Sequence, residues 1–494
     1  MLRQQRAYLY PFLNTRWLAC LLLLCLPLVV QAEREDMDVT LTVSFDDPEA
    51  DFRSIQQAGR RALELAATGQ SVRVQIAPGL YRERIDLSAD ASVDYAPISF
   101  ESRELGRAVI VGSEVWNDWE ISSDSTFVKK YSGPAEVAMV FVQGVRLVRV
   151  EDSRPLRTGE FRVYGNQVEF VPPAKAKVLD GVVEVALKLP VPVFRIQNFD
   201  TVLLSGLYIR QSGGVGLMLE RNDKVLVEHS TSEHHYDSGM LVIGAHQLRL
   251  LNVDTLRNGK DGLVALNVVE MNALGGSVSV NGFRVSEEGL AARDSFGMVV
   301  KTVQTLAWQN GLCADNRGQG FSVMGADAVR IDRVKALNNV YGGGVLFKVA
   351  HATLQETVVA NNGNLGLSVV EGEASATWSI FTHNGSAQSA QVMAVLGGKL
   401  SLEHCILSTD KPQDPLFVLD GFENLGVLSK NLYGVSEKPF VFNQGSLMLD
   451  FATWQAVTGK DLDSMWGDPQ FNDPEHFEYI PVGGSVWYEQ KTWP

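Results

Sequence analysis

GLMLE at 216–220, GMLVIG at 239–244, GLVALN at 262–267, GMVVK at 297–301, GFSVMG at 320–325, GGVLFK at 343–348 and GLSVVE at 366–371 decide the fold of this chain. Gly216, Gly239 and Gly262 are 23 residues apart. One gap of 35 leads to Gly297, and the spacing of 23 resumes through Gly320, Gly343 and Gly366. A unit this short cannot bury a core alone, so units must stack, and stacking places residues of equal repeat position above one another.

Positions one and three after each glycine are apolar almost throughout: Leu217 and Leu219, Met240 and Val242, Leu263 and Ala265, Met298 and Val300, Phe321 and Val323. Period-two alternation marks a strand. A second apolar pair precedes each glycine: Val225 and Val227, Leu248 and Leu250, Phe283 and Val285, Leu306 and Trp308, Val329 and Ile331. Neither run is long enough for a typical helix. Short strands joined by Asn, Asp and Gly corners predict an all-β chain wound as a parallel β-helix. The Leu/Asn consensus of leucine-rich repeats is absent, and propeller blades need longer repeats. Four residues before the glycine stands a row with Asn258, Asn316, Asn339 and Asn362. Asn tolerates the left-handed region and bonds neighbouring backbone, so this row reads as a stacked structural ladder.

The ends differ from the middle. Arg3, Arg6 and Arg16 precede an apolar stretch from Trp17 to Val30, and Val-Gln-Ala closes at Ala32. This pattern predicts a secretory signal over 1–32, cleaved after Ala32, and export to the periplasm or beyond. The apolar run is short for a membrane span. A helix is expected from Pro48 to Thr68, with Phe52, Ile55, Ala58, Ala62 and Leu65 or Ala66 as its apolar stripe. It would plug the solenoid's open end, giving a cap helix and first coil over 33–95. Residues 96–198 lack the beat and read as early coils with a hairpin-rich insertion, Gly165-Asn166 being a hairpin turn. Regular coils follow over 199–425. The tail over 426–494, with its Asp-Pro and aromatic residues, reads as a C-terminal cover.

The formal net charge is −15, and loss of the three signal arginines makes it more negative still. Acidity of this size argues against nucleic acid as a partner and weakens, without excluding, the case for a polyanionic substrate. Cys313 and Cys405 remain after the signal, several coils apart, and read as buried thiols. No zinc spacing is present. The capped ends predict a monomer.

A row that breaks its own rule marks a candidate site. The segment EHHYDSG carries the densest titratable cluster of the repeats: Glu233, His234, His235, Tyr236 and Asp237. Counted from the glycines, the asparagine row fails at His235 and Arg293. The row of Leu256, Ala291, Ala314, Leu337 and Ala360 is broken by Glu233. The extra twelve residues fall, on this count, between Asn267 and Asn281. Neighbouring coils are about 4.8 Å apart, so Asp237 lies over Lys260 and close to Asp261. Glu233, His235, Asp237, Lys260 and Asp261 are the catalytic candidates, and Tyr236, Arg257, Arg293 and Arg317 the substrate contacts. Paired carboxyls suit glycoside hydrolysis, with Glu233 held protonated by an apolar row. A base beside cationic groups suits β-elimination of a uronate. Asp237 and Asp261 could also hold Ca2+, the one cofactor the residues raise. Against these stands a bland reading, in which Asp237–Lys260 is a surface ion pair and His235 a substitute in the ladder.

The opening FRSIQQAGRRALELAATGQSVRVQIAPGLYRERIDL, the Asn/Gly repeat from about 199 to 371 and the closing DPQFND resemble the secreted right-handed parallel β-helix proteins of the pectin-lyase-like superfamily. The resemblance implies a right-handed solenoid with an N-terminal capping helix. It also implies a polysaccharide or oligosaccharide partner, bound by a lyase, a hydrolase or a non-catalytic surface protein. No catalytic motif of those enzymes matches residue by residue, and the Asp-Pro-His-Asp run of alginate epimerases is absent.

Overall fold

The computed structural model describes residues 37–481, apart from 123–124, 175–181, 386–389, 435, 437–438, 443–446 and 475–477. The signal expected at 1–32 lies outside the described residues. The chain is an all-β, right-handed parallel β-helix of about 15 turns, with sheets of 22 and 13 strands running along it. Leu217 pairs with Met240, Met240 with Leu263, Leu263 with Met298 and Met298 with Phe321. The side chains at positions one and three therefore pile up inside the coil, where Leu219, Val242, Ala265, Val300 and Val323 are fully buried.

What locks coil to coil is the asparagine ladder. It runs Asn258, Asn281, Asn316, Asn339, Asn362, Asn384. From Asn281 onward each Oδ1 accepts two bonds from the preceding Asn, one from its backbone N–H and one from its Nδ2, at 2.8–3.2 Å. The second Nδ2 proton goes to a strand carbonyl, as from Asn339 to Cys313 at 3.1 Å. These amides are buried and satisfied on both sides, as buried polar groups must be. The repeat glycines follow from the same ladder. A Cβ on Gly320 would lie 2.5 Å from the Gly343 carbonyl oxygen and 2.7 Å from Asn339 Nδ2. Glycine recurs because the next coil's amide occupies the space of a side chain.

The ladder relocates the extra residues. Asn281 occupies the rung that the glycine count gave to Arg293, and Ser279 pairs with Leu256 where Ala291 was expected. Leu248 and Leu250 are followed by Met271 and Ala273, whereas Phe283 and Val285 belong to a short helix, α2 (Phe283–Glu287). The extra twelve residues thus sit between Asn281 and Phe296, not between Asn267 and Asn281. Counting back from Gly297 carried the length difference onto the wrong side of the ladder.

The cap helix α1 (Ile55–Ala66) starts later than its apolar pattern. Ser54 Oγ accepts from the Gln57 N–H at 3.3 Å, and Glu83 accepts from the N–H groups of Ile55 and Gln56 at 2.7 and 3.2 Å. These bonds satisfy the first free donors of the helix. Phe52, upstream, bridges to Val43 instead. Ile55, Ala58, Ala62 and Ala66 close the end of the core.

Between the Ala108–Val111 and Phe194–Gln197 strands the chain leaves the solenoid and forms two small, mostly antiparallel sheets around Val140, Phe161, Phe170 and Val185. Val111 pairs with Arg210 and Phe194 with Leu217. This insertion therefore leaves from the same corner of the coil as the 234–239 turn. At the far end, α3 (Phe451–Thr458) buries Trp454 against Phe440, with rings 4.8 Å apart. The strands Phe471–Asp473 and Glu478–Pro481 lie on the outer face of the 13-stranded sheet, where Tyr479 accepts from Asn361 Nδ2 at 2.6 Å.

Asn339→Ala would strand the Asn316 backbone donor and amide in a dry interior. Each orphaned buried group costs ~1–3 kcal/mol, so chemical denaturation should show a loss of about 3 kcal/mol. Asn364→Ala, at an exposed corner position, should stay within about 0.5 kcal/mol.

Candidate functional site

The EHHYDSG segment wraps the corner between the two long sheets, and its side chains separate as it turns. Glu233 ends a strand of the 13-stranded sheet and pairs with Leu256 in the next coil. Its carboxylate meets Arg257 at 2.9 Å, His234 at 3.3 Å and the Tyr208 hydroxyl. Burial, the largest single influence, raises its pKa, but the bonds from His234 and Tyr208 and the charge of Arg257 more than reverse it. The group settles at about 2. Glu233 is thus held ionised, the reverse of the protonated acid that its place in an apolar row predicts. The row argument registered the desolvation and missed the donors. Tyr208 was legible in principle, since it stands 23 residues before Thr231 and pairs with it.

His235 points inward and is fully buried. Its Nδ1 accepts from the Ser212 N–H at 3.0 Å, and its own N–H donates to Asn258 Oδ1 at 3.1 Å, so it is the ladder's first rung. Ser232 Oγ gives its proton to the Gly239 carbonyl at 2.7 Å and lies 3.0 Å from Nε2. These partners require the neutral tautomer with the proton on Nε2. Desolvation, aided by the His234 charge, takes the pKa down to about 3.

Tyr236 is buried beneath the two insertions. It packs with Phe141 and Met139 of the first and Phe283 of the second. Arg284 lies over its ring at 4.3 Å, and its hydroxyl donates to Glu288 at 3.1 Å. Beside it the insertions join, Arg146 meeting Glu287 at 2.5 and 3.0 Å and covering the Phe283 ring at 3.8 Å. Tyr236 is a pin under this strap rather than an open sugar platform.

Asp237, Lys260 and Asp261 remain together at the edge of the 22-stranded sheet. The Lys260 N–H donates to the Asp237 carbonyl at 3.2 Å. Lys260 Nζ stands 3.8 Å from Asp261 Oδ2, and Asp261 Oδ1 accepts from the Phe296 N–H at 2.9 Å. Asp261 is only 4% exposed. Burial pushes its pKa up to about 6; Lys260, the Phe296 donor and Lys301 oppose the rise, and the Asp237 charge adds to it. Arg257 is held by Glu233, while Arg293 and Arg317 are exposed on the following coils. Among the described residues no three His, Cys, Asp or Glu side chains are placed to share a metal ion, and none of the helices is long and apolar enough to cross a membrane.

With this geometry the chain is similar to several solved β-helix structures. The complex structure of XylC with xylose matches with a TM-score of 0.59 and 11% identity over 87% of each chain. The Azotobacter vinelandii mannuronan C-5 epimerase AlgE4 A-module matches at 0.44 and 12%, covering 84% of this chain and 96% of that one. A glycoside hydrolase matches at 0.44 and 10%, covering 91% and 98%. Identities this low concern the fold alone. No family model matches the chain, and no curated protein matches it in sequence.

The two buried carboxyls should mark stability with opposite signs. Glu233 has a folded pKa of about 2 against an ordinary 4.5. Its contribution is present above the unfolded value and is lost as pH falls through about 2. Asp261 has a folded pKa of about 6 against 3.8, so ionising it penalises the fold as pH rises from about 4 to 6. At pH 7, Glu233→Gln should cost and Asp261→Asn should gain on the order of 3 kcal/mol each. Denaturation midpoints at pH 4 and 7 test this, the Asp261→Asn gain vanishing at the lower pH. His235→Asn should refold with less than about 1 kcal/mol lost, because an amide supplies the same acceptor.

Proposed function

We propose that this is an exported, carbohydrate-active β-helix protein. It binds an extended polysaccharide along its side and cleaves it, by hydrolase or lyase chemistry, at Asp237, Lys260 and Asp261. One observation carries the reading: a desolvated carboxyl, Asp261, titrates near 6 beside a second carboxyl and a lysine. A carboxyl that keeps its proton up to about pH 6 can donate to a leaving oxygen. Stacked coils hold the group rigidly, as positioning demands. The shared fold with a protein solved with xylose agrees with a sugar ligand.

In hydrolysis Asp261 is the acid and Asp237 the base or nucleophile. In elimination Lys260 neutralises the uronate. Arg293 and Arg317 are the outer contacts. Glu233, His235, Tyr236 and Arg257 shape the corner. A second reading, non-catalytic glycan binding, draws on the Lys260–Asp261 ion pair, which is also what a structural corner would show.

A panel of polysaccharides incubated with the wild type, Asp237→Ala and Asp261→Asn separates these readings. Cleavage should fall at least ~100-fold in both variants, the usual worth of an acid or base, and wild-type activity should decline as pH rises through about 6. Binding without cleavage by the wild type would establish the second reading.

A further inference from the structure

The outward side chains beside Asp261 narrow the substrate. This step rests on the carbohydrate reading above. Positions two and four after each repeat glycine face away from the core, because positions one and three fill it. The first column reads Met218, Leu241, Val264, Val299, Ser322, Val345, of which Val264, Val299 and Ser322 are buried and the rest half-buried; the second, from the Leu241 coil on, reads Ile243, Leu266, Lys301, Met324, Phe347, all at least partly exposed. From Leu241 to Phe347 these columns carry one charge, Lys301. They begin within a few residues of Asp261, and Lys301 is close enough to act on its carboxyl.

Two of the nearby cations already face carboxylates, while Lys301, Arg293 and Arg317 are exposed. Lys260 stands 3.8 Å from Asp261 and Arg257 2.9 Å from Glu233. A polyuronate brings a carboxylate on every sugar. Laid along these columns, those charges would meet one cation, Lys301, and would otherwise lie against Leu, Val, Ile, Met and Phe, which is unfavourable. The acidic chain adds general repulsion. The C–H faces of an uncharged sugar meet no such penalty.

We infer that the glycan is an uncharged polysaccharide and that the bond is broken by hydrolysis. Without a carboxylate next to the leaving group there is no acidified C–H proton, so β-elimination has no starting point. In the hydrolysis Asp261 gives its proton to the glycosidic oxygen as the C–O bond breaks. A water oxygen bonds to the anomeric carbon, and its proton passes to Asp237. One water is consumed, and the two carboxyls exchange protons with solvent to reset.

Affinity electrophoresis of the full mature chain in gels containing xylan, mannan, β-glucan, polygalacturonate or alginate tests this. Asp261→Asn is used so that the glycan is not consumed. At least one neutral polymer should retard the protein and neither uronate should. Leu241→Asp should weaken that retardation about tenfold with an unchanged circular dichroism spectrum. The wild type should release reducing ends from the retarding polymer without forming unsaturated products. Retardation by a uronate, with unsaturated ends, would overturn the neutral-glycan inference and leave the carbohydrate reading standing. Retardation by none of the five would overturn both, and an unweakened Leu241→Asp would remove the columns from the binding surface.

Discussion

Each repeat glycine lies against the ladder side chain of the next coil, and this contact sets the geometry of everything else. The Cβ position of Gly239 lies 2.5 Å from Asn258 Nδ2, and that of Gly216 lies 2.3 Å from His235 Nε2. The amide needs the space to reach its partners in adjacent coils. The glycine row and the asparagine row are one device seen from two sides. Because every amide in it is paired, the ladder tolerates little slippage, and a strand slipped by one residue would turn its side chains to the other face. Side chains at the corner are accordingly held in fixed register, which a site assembled from several coils requires.

The same device explains where the coil can grow. Both insertions leave the solenoid at the corner that carries the ladder, before Phe194 in one coil and between Asn281 and Gly297 in another. A loop added there leaves the strands above and below in register, because Asn281 and Gly297 keep their rungs. A residue added within a strand would turn the pleat inside out. The two insertions flank the 234–239 and 257–262 turns and meet through Arg146 and Glu287. Long loops on a rigid scaffold are common carriers of function, and here they converge on one face of the corner.

The coil period and the inward strand pairs could be read from the sequence because they follow from a local pattern repeated many times, and the cap helix and the buried state of Cys313 and Cys405 because each follows from a local apolar stripe or residue type. The position of the extra residues could not, since glycine spacing alone does not say which side of Asn281 they lie on. The site was legible only in part. Stacking placed Asp237, Lys260 and Asp261 together, but it could not show that Glu233 faces another sheet or that Tyr236 lies under residues some 100 positions upstream. Phe141, Arg146 and Lys188 carry no beat, and their contacts with the corner exist only once the insertion has folded back.

Glu233 and Asp261 are both nearly inaccessible, and burial is the largest influence on each, yet one is driven to about 2 and the other to about 6. The difference is the number of donors. Glu233 is met by Arg257, His234 and Tyr208, three donors shared over both oxygens. Asp261 has one backbone donor and a lysine at 3.8 Å, beyond hydrogen-bond reach. A fold selected for stability alone would supply the missing donor or replace the carboxyl, because an under-paired buried acid lowers stability at neutral pH. Retaining such a group beside a second carboxylate is what distinguishes Asp261 from Glu233, the other buried acid of the corner.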